Sequence, residues 1–333
     1  SLGRTNNAAC IAVPKEGGFV EAWSTFIPEL RTATGIPELH IRTFETPQEL
    51  EKLFLNSEEY NLMWAEVPVT GEYNFITLAQ RGRLQIIDDL KPEYYIGSLF
   101  NVIQTRFDQK WTYALPYSCD LWVLLQRKEP LKQNPKYEIA VPGRDVENVF
   151  AVLTEVLASE NSIGKEFNLK MALTELEEKS SNKTYQNNPF TYTNYDVLRM
   201  VLNGEARSTP IAISKFLAMA YEDQDKYVLT PIKDKVVANA TVLLFPSRAK
   251  EETQILVQKC QKTLIDPKLN FRIAEKRNWQ PVRIDTSSRN VHVSNIREAA
   301  RTASNSGIPW LSYSSNEEKK HIFTEIQKKL LTK

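Results

Sequence analysis

The hydrophobic positions of the chain change period along its length, and the changes mark its elements. Residues 10–13 form a short uninterrupted apolar run stopped by Pro14, the pattern of a strand buried on both faces. After the loop Lys15, Glu16, Gly17 and Gly18, apolar residues recur at Phe19, Trp23, Phe26, Ile27 and Leu30. That helical spacing puts them on one face, and Gly35 and Pro37 close the helix. Residues 39–44 alternate as a second strand. Thr46 and Pro47 open a second helix, because proline in the first turn gives up an N–H that has no partner there; Leu50, Leu53 and Phe54 supply its inner face. Residues 60–65 read as a third strand, followed by a turn at Glu66, Val67 and Pro68. Strand, helix, strand, helix, strand predicts parallel strands joined by crossover helices, an α/β layer fold. Ligands of such sheets bind beyond the carboxyl ends of the strands, here residues 14–18 and 64–68.

Further along, residues 74–81 predict a short helix stopped by Gly82. Residues 111–116 and 121–125 predict two strands, the second without polar alternation and so buried on both faces. Residues 137–141 predict a strand, and Val146, Val149, Phe150, Leu153 and Leu157 an amphipathic helix. The polar stretch 180–188 reads as a surface excursion. A helix over 196–202 ends near Gly204, which suits a left-handed residue just past a helix. Residues 227–231 are extended, and 236–245 is the longest strand candidate. Ser247 is placed to cap a helix carrying Leu256, Val257, Cys260 and Leu264. Residues 295–303 predict a helix. Ser315 and Glu318 have capping-box spacing ahead of a last helix with Ile322, Phe323, Ile326 and Leu330 inward.

Composition narrows the function classes. A chain of 333 residues is long enough for two domains. Lys plus Arg number 42 and Asp plus Glu 41, so the net charge of +1 lacks the basic excess of a nucleic-acid binder. No apolar run reaches the roughly 18 residues of a membrane span. Cys10, Cys119 and Cys260 are odd in number and widely spaced, which suits buried small side chains rather than a disulfide framework or a zinc site. Glycine-rich nucleotide loops, H-E-x-x-H and G-x-S-x-G are all missing. His40, His292 and His321 lie far apart and read as surface residues, and the acidic pairs at Glu58 and Asp88 read as helix-end or turn charges. No catalytic, metal or cofactor site is expected.

Five stretches then fall into a known order. They are residues 11–36 with their apolar strand, glycine loop and aromatic helix; 78–90 (LAQRGRLQIIDDL); 114–122 (ALPYSCDLW); 202–206 (LNGEA); and the strand and helix of 240–264, followed by Pro281. In this order the chain resembles the extracellular solute-binding proteins of ATP-driven importers, the branch that includes maltose- and other sugar-binding proteins. It departs from them at Trp64, Ala65 and Glu66, where the family often has Pro-Asp, and beyond Ala206. The resemblance implies an α/β two-lobe periplasmic-binding-protein fold of type II. Lobe one would be residues 1–117 with 236–283, and lobe two 118–235 with 284–333, joined by a hinge that closes around a ligand in the cleft. It also implies capture of a small solute, a carbohydrate, for a membrane permease. The protein would be a monomer at the periplasmic or cell surface, with a signal or lipid anchor upstream of Ser1. Two other readings stay open: a solute-binding lobe pair serving a sensor or signalling partner, and a two-lobe α/β enzyme.

Sugar recognition needs flat aromatic faces and polar groups for hydroxyls. Strand-end position selects Glu16, Gly17 and Gly18, for which the alternative is a plain turn, and Trp64 and Glu66, where Trp64 could equally pack inward. Position near the returning strand's end selects Asn239. The resemblance implies Tyr117 and Ser118 at the hinge, with Asp120 beside them. It also implies Trp310 and Tyr313 as stacking aromatics, which could otherwise be plain surface residues. The spacing of Trp23 assigns it to the core.

Overall fold

A computed structural model describes residues 8–70, 72–73, 75–88, 90–107, 112–145, 169–186, 188–232, 235–286, 288–302, 305–307 and 316–331. The expected helix over 146–157, and Trp310, Tyr313 and Ser315, lie outside the described residues. The chain divides into two units, Ser1–Cys119 with Ala240–Thr286 and Asp120–Asn239 with Ser287–Lys333. Each unit is therefore built from separate stretches of sequence.

In the first unit the apolar run becomes β1 (Cys10–Pro14), with Cys10 to Val13 fully buried. The helix Phe19–Thr34 and then β2 (His40–Phe44) follow; Phe19, Trp23, Phe26 and Leu30 are the buried face of the helix, as their spacing requires. The helix Pro47–Leu55 starts with Pro47 in its first turn and with Thr46 Oγ1 accepting the Glu49 N–H at 3.2 Å. β3 (Leu62–Pro68) comes next. β1 pairs in parallel with β2 on one side and β3 on the other, the arrangement that crossover helices produce.

The third strand runs farther than its local pattern suggests. Glu66, Val67 and Pro68 are strand, not turn, because Ala65 to Pro68 pair antiparallel with Leu244 to Thr241. The two strands expected between residues 111 and 125 are one, β4 (Ala114–Arg127), which passes straight through Pro116. Proline's fixed φ suits extended backbone, and it is tolerated where no ladder needs its N–H.

β4 and the longest strand expected are the two that run through both units. β5 (Tyr137–Ile139), β6 (Ala206–Ala212), β7 (Tyr227–Thr230) and β8 (Lys235–Leu244) follow in order. The boundary falls after Cys119 in β4 and after Asn239 in β8. In the first unit β8 lies between β3 and β4, and the short β9 (Gln280–Pro281) pairs with Ser118 and Cys119.

In the second unit, residues 122–126 of β4 pair antiparallel with β6, residues 124–127 pair with β7, and β5 joins β6 in parallel. The start of β8 takes β10 (Asn305–Gly307) as a parallel neighbour. Trp122, Ala212, Ile232 and Val237 form one apolar cluster. A second joins Ile139, Val141, Ala172, Leu176, Tyr185, Ile322 and Ile326, packing the helix Leu169–Ser181 against Asn316–Leu331. The polar stretch 180–188 is not all surface: Gln186 is 0% exposed. Its Nε2 donates to the Val141 carbonyl at 2.5 Å and its Oε1 accepts the Val141 N–H at 2.8 Å, so one amide side chain pairs both backbone groups of a buried residue just past β5. Ser247 is not the cap of the helix Glu251–Leu264; its hydroxyl donates to the Gly82 carbonyl, and Lys250 takes the cap position.

The three cysteines are free and buried. Burial pushes the Cys10 thiol up to about 11 and the Cys260 thiol up to about 12. The folded chain thus keeps both protonated where the unfolded chain ionises them, so their contribution to stability is intact below pH ~9 and is lost as pH rises through ~11–12. Denaturant unfolding at stepped pH should lose stability by about 1.4 kcal/mol per pH unit per thiol in that window. A C10A/C260A variant should decline less steeply; an identical slope would contradict the assignment. Gln186→Ala leaves the buried Val141 N–H and carbonyl unpaired and should cost about 2–4 kcal/mol in the same measurement.

Candidate functional site

At the carboxyl end of β1 the chain turns through an exposed loop of Lys15, Glu16, Gly17 and Gly18. Lys15 donates its N–H to the Phe44 carbonyl at 3.0 Å, and its ammonium pairs with Glu45 at 2.8 Å, which ties the loop to the end of β2. Gly17 and Gly18 have φ of 92° and 78°, left-handed values that side chains strain to adopt. A Cβ on Gly17 would also come within 3.1 Å of the Phe19 ring. Gly18 then begins the helix, its carbonyl accepting the Ala22 N–H at 3.2 Å. Arg277 holds the loop from elsewhere in the sequence. Its Nε–H donates to the Gly17 carbonyl at 2.9 Å, while its guanidinium lies 3.4 Å from the Phe19 ring centroid and 4.2 Å from that of Trp279. Sequence reading had no signal for Arg277, which lies 260 residues from its loop partner.

Glu66 sits inside the first unit at 2% exposure. The Trp23 indole N–H donates to its Oε1 at 2.8 Å, and the hydroxyls of Thr241 and Ser118 donate to its Oε2 at 2.5 and 3.0 Å. Those two hydroxyl oxygens are themselves 2.6 Å apart, and the Ser118 N–H reaches Thr241 Oγ1 at 3.3 Å. The carboxylate therefore draws together a helix and the strands β3, β4 and β8. Ser118 and Thr241 are within two residues of the points where β4 and β8 leave the unit. Among the described residues no Lys or Arg forms an ion pair with it.

Trp64 and Tyr117 are at 0% and 1% exposure and belong to the same interior. Trp64 is in the middle of β3, opposite Ile11, and its indole N–H lacks a hydrogen-bond partner. Tyr117 stacks on Trp23 with ring centroids 5.7 Å apart, and Trp23 meets Trp64 at 5.8 Å. Burial, with the Glu66 charge next, holds the Tyr117 phenol well above its ordinary range. Asp120, across the unit boundary, is buried and accepts from the Ser214 N–H at 3.0 Å and its hydroxyl at 2.5 Å. It thus takes a first-turn N–H of the short helix Ile213–Leu217, whose N-cap position is Ala212. Asn239 is half-buried at the end of the second unit's share of β8.

The structure thus sorts the candidates. Glu66, Ser118, Tyr117 and Trp64 come together as one interior network, whereas Glu16, Gly17 and Gly18 form a solvent-facing loop whose Glu16 carboxylate is available to accept from hydroxyl groups. No group of three or more His, Cys, Asp or Glu side chains among the described residues could hold a metal, and no described helix is long and apolar enough to cross a membrane.

Glu66→Ala removes the acceptor that three buried donors share and should destabilise the protein by about 3–5 kcal/mol. Glu66→Gln keeps one carbonyl acceptor for Trp23 while the hydroxyls can rotate to accept from its amide, so its cost should be about 1–2 kcal/mol. Equal losses in chemical denaturation would show that the carboxylate is not the organising group.

No protein-family model and no curated protein sequence matches the chain. Solved structures do. The bacterial solute receptor AcbH, described as preferring β-D-galactopyranose, aligns over 96% of this chain and 95% of its own, at 11% identity and a TM-score of 0.66. The extracellular solute-binding protein of Staphylococcus aureus, solved with maltose, aligns over 99% and 98% at 10% identity and a TM-score of 0.64. Thiaminase I of Bacillus thiaminolyticus aligns over 96% and 99% at 11% identity and a TM-score of 0.60. The chain thus has, along nearly its whole length, the α/β fold of the extracellular solute-binding proteins.

Proposed function

We propose that the protein captures a small carbohydrate outside the cytoplasm and hands it to the membrane permease of an ATP-driven importer. The observation that carries this reading is coverage: the likeness to receptors solved with sugars or described by them extends over both units, not over one shared sheet. The first unit contributes the loop of Glu16, Gly17 and Gly18 at the end of β1, where backbone groups and a carboxylate face solvent. Asn239 belongs to the second unit, and Trp310 and Tyr313 are the stacking aromatics of the same reading. Glu66, Ser118, Tyr117 and Trp64 are buried in the first unit and, on this reading, hold its strands rather than touch the sugar.

The thiaminase likeness favours a second reading, an enzyme on the same fold. A thiol nucleophile needs a thiolate in reach of solvent. All three cysteines are buried, and two of them are held protonated to about 11 and 12, which favours the binding reading.

Thermal unfolding with D-galactose, D-tagatose, maltose, a xylo-oligosaccharide and a chitin oligosaccharide tests the proposal. A cognate sugar at a hundred times its Kd should add about 2.7 kcal/mol of stability. No shift with any of the five, together with breakdown of added thiamine followed by chromatography, would replace this reading with the enzymatic one.

A further inference from the structure

We infer that Arg277 is the positioning residue of the β1-loop subsite and that Trp279 is that subsite's aromatic wall; this rests on the reading of the loop as sugar-binding. Gly17 and Gly18 both occupy left-handed backbone, and two consecutive glycines have more freedom to lose than any other pair. Something outside the loop must hold them if a ligand is to meet an ordered surface. Arg277 is placed to do so in three ways. Its Nε–H fixes the Gly17 carbonyl at 2.9 Å. Its side chain lies against both glycines: Cβ atoms built on Gly17 and Gly18 would fall 3.7 Å from Nη2 and 3.8 Å from Cγ. Its guanidinium is held between two rings, at 3.4 Å from Phe19 and 4.2 Å from Trp279.

The sandwich sets the choice of residue. A guanidinium is planar and can stack on two faces while donating in its plane, which a lysine ammonium cannot reproduce. The same contact fixes Trp279. Its backbone N–H is bonded to the Ala274 carbonyl at 3.1 Å, and the next residue, Gln280, enters the ladder with Cys119, so the indole is anchored at its root and at one face. Trp279 is half-buried and shares Arg277 with the Gly17 carbonyl, so its exposed part is available to a sugar's C–H surface. Phe19, one residue past Gly18, supplies the other side of the clamp and is itself buried by its helix.

The test compares wild type with R277A, R277K and W279F, using the same five sugars by calorimetry and amide hydrogen exchange of Gly17, Gly18 and Phe19. Wild type should bind at least one sugar. R277A and R277K should bind it about tenfold or more weakly, because the loop must then be ordered at the ligand's expense, and loop amides should exchange faster while the rest of the first unit is unchanged. W279F should keep most of the loop protection yet lose affinity. Wild-type affinity in R277A, or unchanged exchange at Gly17 and Gly18, would overturn the role of Arg277 while leaving the carbohydrate reading intact. Wild type binding none of the sugars would overturn that reading, and the subsite with it.

Discussion

A carboxylate taken out of water demands compensation, and in this protein the demand organises the first unit. Glu66 is buried without an ion-paired cation among the described residues, so neutral donors must replace its hydration. They come from the first helix and from β4 and β8, while Glu66 itself is in β3. Each of those elements has its own apolar reasons to be in the core, but none of those reasons fixes register. The carboxylate does, because its donors satisfy it only when Trp23, Ser118 and Thr241 converge on one point. A polar group that is costly when unpaired rejects the alternative registers that apolar packing would tolerate.

Guanidinium groups do comparable work with opposite sign, Arg248 and Arg283 from buried positions and Arg277 from a half-buried one. Arg248 donates to the carbonyls of Ser57 and Leu62, tying the start of the returning helix segment to the root of β3. Arg283 grips Asp285 through two hydrogen bonds at 2.9 and 2.6 Å and donates also to the Ile265 carbonyl, close to where the chain leaves the first unit for the last time. Arg277 secures the glycine loop. In each case a planar head with several donors joins pieces distant in sequence. The near-zero net charge therefore hides an unequal use of charge. Among the described residues most ion pairs are exposed and worth little, whereas these guanidinium groups act through directional hydrogen bonds.

The interior of the first unit gathers aromatic rings around one carboxylate, whereas the loop after β1 ends in two glycines and is held by Arg277, Phe44 and Glu45. The residues expected to meet a sugar divide along that line: Glu16, Gly17 and Gly18 face solvent, whereas Trp64, Glu66, Tyr117 and Ser118 are buried inside the first unit.

The sequence by itself determined the element types and the α/β class, because periods of two and 3.6 are local and residues 10–55 display both clearly. It also placed Trp23 in the core and Gly204 at a left-handed turn. It could not determine that β3 continues through Glu66 or that β4 passes through Pro116. A strand's length is set by its ladder, and the partner of Glu66 is Leu243. Nor could it show Gln186, inside a polar stretch, pairing the backbone of Val141, or Arg277 reaching the glycine loop, since both contacts depend on where distant segments pack. Periodicity names an element's inner face; only tertiary pairing decides where the element stops and which polar side chains that face must accept.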